Sequence, residues 1–562
     1  MNGPQSRRSF LKSLALGSSV LAVPGLAGDF DPSFASAAVS PASSVHERGS
    51  AANTTLIIAS PNTPQSLDHE FDVSLGTIDS VGALYDSLLQ YAKIHDPKVP
   101  SVWREDTADH PNLPSGLNLK GKLAERWEVS RDGLVGRFFL RQGVKSNWGN
   151  ELTAEDVKWT WDRHLTLRGL GAFQTAALGI YHSNQVRVDG RYAVSFHVDK
   201  PNPLLLKQQV NLANPIYDSK KCKEVASSSD PWAHNFLSNN SAGFGPYVIS
   251  QLTRGQQAVF TARKDYYGPK PYFKTVIFKE VATSAARTSL LQGGAVDIAQ
   301  FLLPREYNSL KRAPGVSVDT VAASYMIWIE LNAKMHPFDN VTVRQAMNYA
   351  FPHESVLRTV YYHLATQLTA PMPSIYPDAT SRFWRYKTNL AKAKAFLAQA
   401  GFPRGFKTTL SYNAGDPVQE PIAIEYQTNL RSIGVDLVLN KLPADTFYNY
   451  VTKRTQPMTF YVDSPWVPDP GYSTQLYFQS QSYVDYSNYH NPTVDSLIHK
   501  GLQTTDAPLR KNIYTRVQQI IMNEAPWVFI AYPNFTLAHR SNVKGWTYYT
   551  SNNLRFQDLY RV

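Results

Sequence analysis

From Thr55 onward, segments with a two-residue apolar period alternate with segments of helical period and never separate into blocks. That interleaving predicts a mixed α/β protein rather than a helical bundle or a β-sandwich. Tyr192, Val194, Phe196 and Val198 alternate with Ala193, Ser195 and His197, the pattern of a half-buried strand. The run Tyr325 to Leu331 is apolar on both faces apart from Glu330, as in a strand enclosed within a sheet. Val343, Ala346, Met347 and Ala350 fall on one helical stripe, and Ile513, Val517, Ile520 and Ile521 on another that stops at Pro526. A helix over about 389–400 should end at Gly401, with Pro403 just beyond. At 562 residues the chain exceeds what one hydrophobic core accommodates, so at least two domains are expected, without internal repeats.

Composition mainly excludes. The single cysteine, Cys222, rules out an intrachain disulfide and a paired-cysteine metal cluster. The net charge of +11 is spread along the chain with no run of five basic residues, which argues against nucleic acid as a partner. At the N-terminus, Ser6-Arg7-Arg8-Ser9-Phe10-Leu11-Lys12 precedes a weakly apolar stretch from Leu14 to Ala27 and then Ala35-Ser36-Ala37. This resembles a twin-arginine export signal over residues 1–37, cleaved near Ala37, and implies a periplasmic mature protein. The stretch is interrupted by Gly17, Pro24 and Gly25 and is too short to span a bilayer, which takes roughly 20 apolar residues. Residues 38–52 read as a flexible leader.

Three ordered stretches carry a resemblance. The first runs Leu123-Ala124-Glu125-Arg126-Trp127-Glu128-Val129-Ser130-Arg131-Asp132-Gly133, then Phe139 to Lys145, then Leu152 to Val157. Its physics is structural: Asp132-Gly133 and Gly149-Asn150 make turns, Thr153 and Asp156 form a capping box, and Val157, Trp161 and Leu165 line a buried face. The second holds Gly243-Phe244-Gly245-Pro246-Tyr247, Arg263 to Gly268 and Leu291 to Ile298; its glycines lack the Lys-Ser/Thr pair of a phosphate loop. The third holds Val343 to Ala350, Lys392 to Gly401 and Asp469-Pro470. Together they resemble the family 5 extracellular solute-binding proteins, the dipeptide-, oligopeptide- and nickel-binding components of ABC importers.

The resemblance implies a two-lobed periplasmic-binding-protein fold (type II, large peptide-binding class) with an extra subdomain in the first lobe. Lobe 1 is expected over 53–320 plus 530–562, with the subdomain at about 90–240, and lobe 2 over 321–529. Closure of the lobes would enclose a peptide or peptide-sized solute for delivery to ABC permease subunits in the membrane, by a monomer without cofactor. Peptide-binding members carry an aspartate three residues before the Asp-Pro pair, where it meets the ligand's α-amino group. Here that position is Trp466, within Asp463-Ser464-Pro465-Trp466-Val467-Pro468-Asp469-Pro470. Trp466 could stack on a ring or sugar, face a cation, or pack in the lobe; Asp463 could supply the carboxylate instead. Further ligand-binding candidates are Phe71, Ser74, Tyr325, Trp328, Tyr362, Gln367 and Tyr472. The departure at Trp466 leaves room for opine-like, glycosylated or metal-chelate cargo. An exported hydrolase is the rival reading, but no Gly-x-Ser-x-Gly elbow, His-Glu-x-x-His helix, Walker loop or dinucleotide fingerprint occurs. No histidine pair, His490 and His499 included, has the i, i+4 spacing of a helical metal site.

Overall fold

The computed structural model describes residues 54–72, 74–113 and 115–562. The export-signal and leader readings over residues 1–52 lie outside them. One sheet has seven strands, in the spatial order Tyr247–Thr253, Gln257–Ala262, Thr275–Glu280, Thr55–Ser60, Ile298–Ala299, Phe535–Arg540 and Val316–Val321. The other has six: Ala365–Gln367, Trp527–Pro533, Met326–Leu331, Met458–Asp463, Lys407–Asn413 and Asp436–Leu442. The chain leaves the first sheet after Val321, enters the second at Met326, and crosses back at Asn534 rather than at 530. Met326–Leu331 and Trp527–Pro533 are antiparallel neighbours, so the two crossings run side by side.

Within the first half of the sequence, a four-stranded antiparallel sheet is built from Ala124–Val129, Val135–Leu140, Ala193–His197 and Val186–Gly190. Gly133, at φ 70°, takes the left-handed turn that Asp132-Gly133 predicted. The helix Ala154–Leu167 starts with the expected capping box, the Thr153 amide donating to Asp156 Oδ2 at 2.7 Å. It buries Trp161 edge-on against Phe196, with ring centroids 4.9 Å apart. The buried side chains of this subdomain run unbroken into those of the six-stranded sheet. The two halves therefore meet over a shared apolar interior, as in a closed arrangement.

The strand Met326–Leu331 is buried at every position, Glu330 included. Trp328 is fully buried and stacks on Trp527 at 4.1 Å, and its Nε1 donates to Glu330 Oε1 at 2.7 Å. Trp328 is thus a core residue rather than a cleft residue. Burial holds the Glu330 carboxyl well above its ordinary range, with a smaller push from nearby Asp485, and outweighs the opposing hydrogen bonds from Trp328, Ser487 and Trp527. A raised folded-state pKa favours the fold below the unfolded pKa, and that stability is lost as pH rises toward the folded value. Glu330→Gln keeps the acceptor for Trp328 and needs no proton. Urea unfolding should find the variant more stable than the wild type at pH 8, by about 1–3 kcal/mol, with the gap closing near pH 4. A variant less stable at both pH values would contradict this account.

Candidate functional site

The seam between the halves is built around the end of strand Met458–Asp463 and the loop that follows it. Ser464 Oγ lies 2.6 Å from Ser324 Oγ on the crossing segment and accepts from Asn552 Nδ2 at 2.6 Å. Tyr376 OH donates to the Pro465 carbonyl. This uncharged network pins the loop to the crossing, so the residues after Asp463 project into the seam. Asp469 then caps the helix Pro470–Phe478, accepting from the Gly471 and Tyr472 amides at 2.7 and 3.3 Å.

Trp466 stacks on the His69 imidazole, centroids 5.5 Å apart and planes 14° from parallel. The ring it meets is therefore the protein's own, supplied by the segment that leads into helix Leu75–Leu84 of the other half. Burial lowers the His69 pKa to about 4, so the imidazole is neutral at neutral pH. The cavity beside Trp466, bounded also by Tyr91, Glu105 and Lys207, holds only about 10 Å³, room for about one water.

Asp463 is half-buried and makes no ion pair with any described residue; its Oδ1 accepts from the Ser464 amide at 2.7 Å, and the Tyr477 hydroxyl lies close enough to hydrogen-bond the carboxyl. Burial raises its pKa to about 6. Tyrosines surround it. Burial lifts the hydroxyl pKa values of Tyr325, Tyr461, Tyr477 and Tyr483, and the Asp463 charge pushes each further up. Tyr325 also lies within electrostatic reach of Asp79 on the opposite half. The arrangement is a carboxylate among aromatic rings without a counter-ion, chemically suited to a cation.

A second element of the seam spans it directly. Lys207 Nζ, from the first half, donates to Asp469 Oδ2 at 2.8 Å, while Arg510 of the second half donates to Oδ1 at 2.5 Å. All three side chains are buried or nearly so. Burial works to raise the Asp469 pKa, but Arg510 and Lys207 hold it well below the ordinary carboxylate range. Close by, Tyr472 is buried, exchanges hydrogen bonds with the Gln174 amide at 3.2 and 3.3 Å, and packs edge-on to Phe173. Its hydroxyl closes the seam against the subdomain.

The remaining sequence candidates separate. Phe71 packs edge-on against His234, which is bonded to Asp68, inside the first half. Ser74 stands at the N-cap of helix Leu75–Leu84, where its Oγ donates to Thr77. Gln367 Nε2 donates to the carbonyls of Leu368, Phe529 and Ile530, so its amide serves the sheet edge rather than the cleft. Tyr362 is 41% exposed and has no hydrogen bond or ring contact among the described residues. The structure thus brings Tyr325, Asp463, Trp466 and Tyr472 to the seam and moves Trp328 and Gln367 into the sheet. Sequence reasoning missed His69, Lys207 and Arg510; the Asp68-His69-Glu70 run was the one local signal.

A family model described as bacterial extracellular solute-binding proteins, family 5 middle, matches residues 118–485. A curated relative from Escherichia coli, named "Probable D,D-dipeptide-binding periplasmic protein DdpA", is 26% identical over 496 residues, 88% of this chain and 91% of that protein. The solved periplasmic binding protein DppA from Helicobacter pylori, in complex with peptide STSA, superposes with a TM-score of 0.77 at 23% identity, covering 90% of this chain and 98% of that one. The binding protein AgaA from A. tumefacien, in complex with agropinic acid, gives a TM-score of 0.75 at 21% identity, covering 90% and 99%.

Proposed function

Because the chain belongs to the bacterial extracellular solute-binding proteins of family 5, solute binding rather than catalysis is its activity, and we propose that it captures a peptide or peptide-sized solute bearing an ammonium group for an ABC importer. The observation that carries this reading is Asp463, an ionisable carboxylate at the seam with no cation beside it. A ligand ammonium supplies the missing charge, and the surrounding tyrosine rings favour the same sign. Asp463 then takes over the amine-binding role expected three residues later in the loop, and Trp466 packs on His69 as the halves close. The two halves act as lobes that turn about the paired crossing strands, and ligand contacts with both shift the population toward the closed form. The protein is exported by the twin-arginine route, with cleavage near Ala37. In the periplasm it works as a monomer that delivers its ligand to membrane permease subunits.

The relative named for D,D-dipeptides and the neighbour holding peptide STSA support peptide-like cargo. Trp466 in place of the usual aspartate, with the agropinic acid complex of AgaA, favours an opine as the second reading. Native mass spectrometry of protein purified without denaturation separates the two by the mass of the released ligand. A free-amine dipeptide at about 100 times its Kd should stabilise the fold by about 2.7 kcal/mol, remain intact on incubation, and lose this effect when N-acetylated. Equal stabilisation by acetylated and free dipeptides would remove the ammonium from the proposal.

A further inference from the structure

At the far end of strand Met458–Asp463 from the carboxylate, the subdomain and the six-stranded half flank an open cavity of about 1020 Å³. Met458 pairs with Leu331 and Asp463 with Met326. The cavity residues Asn332 and Lys334, and Arg454 and Thr455, continue the Leu331 and Met458 ends. Five strand steps of about 3.4 Å separate this end from Asp463, roughly 17 Å. It opens off the same seam, since Tyr483 of its wall also stands among the tyrosines around Asp463, but its cationic end lies at the opposite end of the strand.

Four cations line it: Arg168 from the subdomain and Lys334, Lys453 and Arg454 from the other half. No aspartate or glutamate lines it among the described residues. The Arg168, Lys334 and Lys453 side chains make no ion pair or hydrogen bond among the described residues, whereas Arg454 Nη2 donates to the Ser482 carbonyl. The nearby carboxylate, Asp485, is buried and already accepts from Ser487 Oγ and the Tyr489 amide at 2.8 and 3.0 Å. Helix ends account for part of the positive charge. Arg168 caps helix Ala154–Leu167, and Lys453 and Arg454 follow helix Ala444–Val451. Two helix C-termini carry about half a negative charge each, so they offset about one of four positive charges.

The backbone is unusual at the same place. Arg168 and Arg454 hold φ values of 53° and 55°, and Gln481, also in the lining, holds 68°. Glycine is the ordinary occupant of such left-handed positions. Two arginines there keep a guanidinium at the cavity at a conformational cost of about 1 kcal/mol each. Phe173, Met335 and Tyr483 complete an apolar wall.

We propose that the cationic end of this cavity is a binding site for an organic polycarboxylate with an apolar portion, distinct from the Asp463 carboxylate at the other end of the strand. The cations of both halves converge on its carboxylates, so occupancy also draws the subdomain toward the six-stranded half. N-acetyl-tri-glutamate is the probe, because it carries carboxylates and no amine for Asp463. It should bind the full mature protein by calorimetry, with affinity falling as salt rises. Lys334→Gln combined with Lys453→Gln, at two exposed positions without side-chain partners, should weaken it at least tenfold. Asp463→Asn should leave it unchanged, and N-acetyl-tri-glutamine should not bind. The proposal is overturned if the wild type does not bind the probe, if the lysine pair leaves affinity unaltered, or if Asp463→Asn abolishes binding. None of those results bears on capture of free-amine dipeptides, which the lysine variant should retain.

Discussion

Asp469→Asn is expected to destabilise the protein by about 3–5 kcal/mol, the cost of leaving buried charges without their counter-ion. The amide can still cap helix Pro470–Phe478, so the loss isolates the charge from the cap. Two cations are stranded, and they report on different things. Arg510 belongs to the same half as Asp469, so its loss of a partner weakens that half in any conformation. Lys207 reaches in from the other half, so its loss acts on closure. Lys207→Met separates them, since it fills similar space and leaves the Asp469–Arg510 pair intact. The methionine variant should unfold in urea close to the wild type, yet bind ligand more weakly and show a more open form by small-angle scattering. Because the Asp469 pKa is depressed, the stability it supplies is present above the unfolded value near 4 and is lost as pH falls through the folded value. The Asp469→Asn penalty should therefore shrink only in strong acid. Equal stability of Asp469→Asn and wild type at pH 7 would show that the bridge is energetically idle.

The second large effect concerns ligand. Asp463→Asn should weaken binding of a free-amine dipeptide by about 2–5 kcal/mol, or roughly 30- to 4000-fold, because the ammonium is then enclosed without a counter-charge. The pH dependence has a definite sign. The unliganded carboxyl titrates at about 6, and the complex needs it ionised. Wild-type affinity should be greatest near pH 7, fall about tenfold for each pH unit below about 6 as Asp463 protonates, and decline above about 8 as the ligand amine loses its charge, whereas Asp463→Asn should lack the acid limb. Isothermal titration at pH 5, 6 and 7.5 measures both. A variant within threefold of wild type at pH 7.5 would move the ammonium elsewhere in the seam.

Local order was legible in the sequence wherever a feature depends on neighbours along the chain. The capping box of Thr153 and Asp156, the turn at Gly133 and the helix end at Gly401 rest on contacts a few residues apart, and the strand at 326–331 shows its enclosure in its own unbroken apolar run. The seam rests on contacts that no local pattern encodes. His69 meets Trp466 and Lys207 meets Asp469 only because the chain crosses between sheets and returns. Trp328 shows a different limit. A strand buried on both faces has no polar parity to reveal which side chains look toward the cleft, so an indole beside the crossing reads equally as core or site. Gln367 looked available as a polar side chain in a loop, but its amide turns back to donate to the carbonyls of Leu368, Phe529 and Ile530 along the edge strand it joins.

The position of Phe535–Arg540 between Ile298–Ala299 and Val316–Val321 has a consequence for synthesis. Val316–Val321 is joined to its sheet only through this late strand, and Thr55–Ser60 and Thr275–Glu280 pair long before it leaves the ribosome. At about 5–20 residues per second, the ribosome needs roughly 13–50 s to travel from Thr275 to Phe535. For that interval the nascent sheet ends at an open edge, exposed to partners it should not meet. A chain released before Phe535–Arg540 would leave that gap permanent, with Val316–Val321 cut off from the rest of its sheet.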